Sequence, residues 1–287
     1  AAATAENSMA LGTSSKASAF GAYAAGYQAN ASGSNSMALG SLAKASAIDS
    51  YSAGFQANAA ANYSMALGTN AAAAGVASFA IGLNSQASSA NSAAIGTNAL
   101  ANGNSAFALG LKAKALNTNS VALGSQSFAN GFDSFAAGTS SFATNTNSQA
   151  FGSNAQATGV DSFASGVNAD ATSLSAMAIG SGAQATNSYA IAFGSNTIAS
   201  AFSTTAIGFT AYSLATNALA IGTTAFANGT DSQAIGSSAI ANKNNAQAIG
   251  VSSLATGLNA LSVGTNSSAT ANDATATGTR SIANGIN

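Results

Sequence analysis

Glycine recurs every 14 residues in this chain, from Gly12 to Gly278, 20 times without an insertion or a deletion. The hexapeptide leading into it is also repeated: Asn7-Ser8-Met9-Ala10-Leu11-Gly12, Asn35-Ser36-Met37-Ala38-Leu39-Gly40, Asn91-Ser92-Ala93-Ala94-Ile95-Gly96, Asn119-Ser120-Val121-Ala122-Leu123-Gly124. A short fixed period over nearly all of 287 residues restricts the fold severely. Each repeat is one supersecondary unit, and it buries its faces against its neighbours.

With each registered glycine at position zero, the columns show which way side chains point. Position −2 is Ala except at Ser52 and Ser262, and position −4 is Ser, Ala or Thr204. Position +3 is Ala, Ser or Thr197, and position +5 is Ala except at Ser213. Small residues therefore alternate at spacing two in two blocks per repeat. That is the β period, in which successive side chains face opposite sides. The three-and-four spacing of a helix is missing, so pattern overrules the helix propensity of Ala. Each unit is expected to hold two short strands separated by two turns. Glycine at position zero serves one turn, since it takes positive φ at little cost. The other lies seven residues away, at Gly33, Gly75, Gly103, Gly131, Gly159, Gly229, Gly257 and Gly285, with Asn or Asp common at position −5. Two strands and two turns make one coil of a β-solenoid. At the ~4.8 Å interstrand spacing, stacking all the coils predicts a rod of roughly 95 Å. A 28-residue period lies over the first: Lys16 matches Lys44, and Tyr27 matches Phe55. No linker or change of composition interrupts the chain, so residues 1–287 read as a single domain.

Composition narrows the function. Charged residues are 5% of the chain and hydrophobic ones 47%, with no Pro, Cys, His or Trp. A net charge of −1 gives no electrostatic case for nucleic acid or an anionic membrane. No apolar run approaches the ~20 residues of a membrane span, so direct membrane insertion is not expected, and no secretion signal opens the chain. Ala1 reads as the start of an excised fragment.

Bulky apolar residues collect at position −1: Leu11, Leu39, Leu67, Ile81, Ile95, Leu109, Leu123, Phe151, Ile179, Phe193, Ile207, Ile221, Ile235, Ile249 and Val263. Alternation places them outside the coil, and stacking aligns them into one ridge. Such a ridge exceeds what a soluble monomer exposes. Covered, it is worth roughly 20–45 kcal/mol gross at ~1.5–3 kcal/mol per side chain. Copies are therefore expected to pack side by side along it, related by rotation about the long axis. Ala25, Ala53, Ala137, Ser165 and Thr277 interrupt the column, and packing is expected to loosen there.

The repeat Asn-Ser-x-Ala-Ile/Leu-Gly followed by x-x-Ala-x-Ala resembles the head domain of the trimeric autotransporter adhesins, the YadA-like heads, over essentially the whole chain. The resemblance implies an all-β, left-handed parallel β-roll solenoid of 14-residue coils, homotrimeric, with position −1 toward the three-fold axis. It also implies a place at the surface of a Gram-negative bacterium, anchored in the outer membrane through a C-terminal region. The family's neck, coiled-coil stalk and membrane anchor are absent from these residues. The function implied is attachment to matrix proteins such as collagen, to host cells or to abiotic surfaces, with self-association of the bearing cells. The alternative is a spacer that projects a separate binding tip.

Catalysis finds no support. There is one Glu, six Asp, and no His or Cys, so no acid–base pair, nucleophile or metal set assembles, and no cofactor is expected. Asp49, Asp133, Asp161, Asp231 and Asp273 share the turn column −5, where Asp is a turn former. Hexapeptide-type acyltransferases would need a His, and calcium-binding nonapeptides a recurring Asp. An ice-binding array of Thr at position +1 is broken by Tyr27, Phe55, Leu83 and Phe209. Two outward strips remain as candidate adhesive surface. One is position +4, with Phe128, Phe142, Tyr212 and Phe226; the other is position +1, with Tyr27 and Phe55.

Overall fold

The computed structural model describes residues 1–285. Every regular element among them is a strand of two or three residues; no helix is long and apolar enough to cross a membrane. The chain is an all-β parallel solenoid of about 20 coils spaced 14 residues apart. It divides into two compact units, Ala1–Thr144 and Asn145–Asn287, built on the same coil.

In the first unit, the coil that begins at Gly40 has the strand Lys44–Ala45, a turn, and the strand Tyr51–Ala53. Each strand pairs in parallel with its equivalents one coil before and after. Lys44 lies opposite Asn30 and Asn58, and Tyr51 opposite Met37 and Met65. The second unit repeats this register, with Gln184 opposite Asp170 and Ile198, and Met177 opposite Phe163 and Ile191.

The small columns form the interior. Ala43, Ala45, Ser50 and Ser52 are fully buried in the first unit, as are Ala183, Ala185, Ala190 and Ala192 in the second. The largest fully buried side chains are Thr197 and Thr204. An interior of methyl and hydroxymethyl groups lets the two sheets of a coil approach closely. It also limits what burial inside one chain can contribute, since burial energy follows apolar area.

The turns follow from backbone hydrogen bonding. Residues at −5 and +2 are left-handed, as at Asp49 (φ 52) and Leu42 (φ 61). In that conformation the N–H of Leu42 donates back to Tyr27 O at 2.8 Å, and that of Asp49 to Ser34 O at 2.9 Å. Strand residues donate the other way, Lys44 to Ala57 O at 2.8 Å and Tyr51 to Ser64 O at 2.9 Å. Turns and strands are both stitched to neighbouring coils, so the backbone is satisfied within the stack. Buried hydroxyls close the corners. At −4, Ser120 Oγ donates to Asn117 O at 2.6 Å; at +3, Ser127 Oγ donates to Gly124 O at 2.9 Å. The coil is thus two similar halves of seven residues.

Glycine at position zero meets two demands. Gly124 has φ 121, and a Cβ there would sit 2.8 Å from Gly138 O. The glycines of the second turn meet only one of these demands: Gly33 lies outside the left-handed region, yet a Cβ on it would fall on the Ala47 carbonyl. Close approach of the next coil, not positive φ, selects glycine at that place.

Candidate interaction surfaces

The strand before each zero glycine points position −2 inward, which leaves −3 and −1 on one outer face. The apolar face is therefore two residues wide. In the first unit it presents Met37 with Leu39, Phe79 with Ile81 and Phe107 with Leu109, all exposed or half-exposed. In the second, Met177 accompanies Ile179, Ile191 accompanies Phe193, and Leu219 accompanies Ile221. The residues expected to form the ridge do face outward, and Leu11 and Phe193 are each 50% exposed in the single chain.

The second row also answers the interruptions. The coils with a small residue at Ala25, Ala53, Ala137 and Ser165 carry Tyr23, Tyr51, Phe135 and Phe163 at −3. Phe163 packs against Phe151 of the preceding coil, ring centroids 5.7 Å apart at 44°. In these four coils the bulky residue stands at −3 instead of −1. Thr277 has Thr275 beside it and is not compensated.

The other sheet displays position +4. Phe128 and Phe142 are in-register neighbours with ring centroids 6.0 Å apart at 47°. In the second unit, Tyr212 and Phe226 stand 6.4 Å apart at 60°. Tyr27 and Phe55 are exposed at the edge after the zero glycine, but Ser41 occupies the coil between them, so they form no continuous strip. The second turn carries an apolar row that the sequence reading missed, at Phe20, Ile48, Val76 and Phe132 in one unit and Val160, Leu174, Phe202 and Leu258 in the other. Polar residues alternate with them in the same column, which hides the row.

Four of the five aspartates of the turn column accept hydrogen bonds from the preceding coil. Asn119 Nδ2 donates to Asp133 Oδ1 at 2.8 Å, Asn147 to Asp161 at 2.8 Å, Asn217 to Asp231 at 3.0 Å and Asn259 to Asp273 at 2.8 Å. An amide ladder accounts for these carboxylates. Among the described residues no three of His, Cys, Asp and Glu group as metal ligands would. Asp170 lies elsewhere, between Gln156 and Gln184 on the +4 row. Its Oδ1 is buried without a hydrogen-bond partner, and burial raises its pKa.

What the geometry offers is outer surface: a two-row apolar face, aromatic pairs on the opposite sheet, and amide ladders at a turn. No curated protein matches the chain at a significant level. The family model described as the YadA head domain repeat (2 copies) matches residues 3–19, 17–43, 45–71, 73–99, 101–127, 129–155, 143–169, 171–197, 199–225 and 255–281. Most of these segments begin 28 residues apart, two coils to a match, as the stacking requires. A repeat that fixes glycine at one corner of each coil, small residues inside and an aliphatic row outside thus carries a known family pattern over nearly its full length. The chain belongs to the YadA head domain family of the trimeric autotransporter adhesins.

Proposed function

We propose that this chain is the adhesive, non-enzymatic head of a surface fibre: a homotrimer of left-handed β-rolls packed through the −3/−1 face. Its remaining outer faces attach the bearing Gram-negative cell to matrix proteins such as collagen, to host cells or to abiotic surfaces. One observation carries the reading. Among the described residues nothing larger than Thr is fully buried in the interior, while aliphatic and aromatic residues stand in two outward rows on one face. A chain with so little to bury inside gains most by burying that face against copies of itself. Rotational symmetry gives each copy the same environment and leaves the Phe128–Phe142 and Tyr212–Phe226 pairs on the outside.

Light scattering of the purified head is expected to give three times the chain mass. Ile221→Asn with Ile235→Asn should reduce it to the mass of one chain, because an amide buried without a partner costs about 1–3 kcal/mol at each of three equivalent sites. Phe128→Ser, Phe142→Ser and Phe226→Ser together should leave the mass unchanged and lower retention on collagen-coated or bare polystyrene about tenfold. Unchanged retention would assign these coils the role of a spacer beneath a separate tip.

A further inference from the structure

Charge in the first unit is sorted by edge. Its lysines, Lys16, Lys44, Lys112 and Lys114, all occupy positions +2 or +4. Its acids, Glu6, Asp49 and Asp133, all occupy −6 or −5. Position +2 closes the turn after the zero glycine and −5 closes the other turn, so these columns belong to opposite edges of the flat coil. All seven side chains are exposed.

On the lysine edge, Lys112, Lys114, Gln126, Ser127, Phe128 and Phe142 line a shallow groove of about 230 Å³. Lys114, Phe128 and Phe142 are in-register neighbours on three successive coils. The groove thus sets ammonium groups beside two rings. The acidic edge offers the complement. Phe132 is 47% exposed and adjoins Asp133, whose carboxylate is held by Asn119 Nδ2 at 2.8 Å. Ile48, also exposed, adjoins Asp49 in the same way. One edge presents cation with ring, the other carboxylate with an apolar neighbour.

We infer that the Lys112–Lys114–Phe128–Phe142 groove of one copy receives the Phe132–Asp133 turn of another, joining assembled heads laterally. The two surfaces differ, so the contact is heterologous: each head offers both halves, and association propagates instead of closing as a pair. The ring contact supplies apolar burial, and the lysine–aspartate pairing supplies orientation and salt sensitivity. A net charge of −1 raises little general repulsion against it. The contact uses neither the −3 nor the −1 row, so it adds to three-copy packing and can fail without it.

The test is light scattering of the purified full chain between about 20 mM and about 500 mM NaCl, a range over which the screening length falls from roughly 20 Å to roughly 4 Å. Clusters of the basic assembly are expected at low salt and should dissolve at high salt. Lys112→Glu with Lys114→Glu should raise the concentration for half-association about tenfold, and so should Asp133→Lys alone. An equimolar mixture of the two variants should cluster again, since the acidic groove of one now meets the basic turn of the other. Four results would overturn the proposal: a wild-type head that stays dispersed at low salt, clusters indifferent to salt, a mixture that does not recover, or variants that change the mass of the basic assembly instead of its clustering.

Discussion

At the scale of single residues a hydroxyl in the interior is cheap where a partner waits and costly where none does. Three serines replace alanine in the strictest inward columns, at Ser52, Ser213 and Ser262. Ser213 Oγ donates to Ala218 O at 2.8 Å, and Ser262 Oγ shares a hydrogen bond with Ser267 Oγ at 2.7 Å. Ser52 is fully buried and its Oγ has no partner. A buried, unsatisfied hydroxyl forfeits its hydration without return. Ser52→Ala is therefore expected to stabilise the chain by about 1 kcal/mol. Ser262→Ala should give no gain, and should lose up to about 1 kcal/mol as its bond to Ser267 disappears. Urea unfolding of the two variants beside the wild type decides this: equal gains would mean that alanine is simply better in these columns, whatever the partner.

At the scale of the strand and turn, legibility tracked how narrow the choice of residue is. The zero glycine, the alanines at −2 and +5 and the aliphatic −1 column each admit few residue types, so the sequence alone resolves them, and with them the solenoid. The −5 turn was readable because Asn and Asp favour the left-handed backbone that Asn35 and Asp133 adopt. Position +2 adopts the same backbone with Ser14, Gln28, Leu42 and Lys112, a mixture that signals nothing. Position −3 was missed for a like reason: Met, Phe, Tyr, Gln and Thr share it, with an aromatic in the four coils whose −1 residue is Ala or Ser. That exchange predicts coupled behaviour. Phe163→Ala opens the space above Ser165 and should weaken the assembly by about 3 kcal/mol per chain, the usual cost of emptying a packed aromatic site. Adding Ser165→Ile, which restores a bulky −1 residue, should recover most of the loss, whereas Ser165→Ile in the wild type should crowd Phe163 and cost about 1–3 kcal/mol. Denaturant dissociation of the four proteins gives the cycle; additive effects would show that the rows are independent.

At the scale of the whole molecule, the buried core and the apolar outer face obey different periods, which makes them separable. The core repeats every seven residues, since each half-coil runs turn, left-handed residue, inward small residue, outward residue, inward Ala. The apolar face repeats every 14, because only the strand before the zero glycine carries bulky residues at both outward places. Deleting residues 209–222 joins Gly208 to Thr223 and keeps both periods. Stacked repeats interact with near neighbours alone, so the shortened chain should fold and assemble as the parent does, with a denaturant slope reduced in proportion to length. Deleting residues 209–215 keeps the seven-residue phase and breaks the other. Inward alanines still follow in order, for Ala218 and Ala220 take the places of Ala211 and Ser213, but every later −3 and −1 residue moves to the opposite sheet. Lys243 and Ala271 also fall on the zero position, where a Cβ meets the carbonyl of the next coil, as it would at Gly124. This variant should retain β-sheet circular dichroism with a lowered unfolding midpoint and lose the threefold mass. Were it to assemble as well as the 14-residue deletion, the two-row face could not be what holds the copies together.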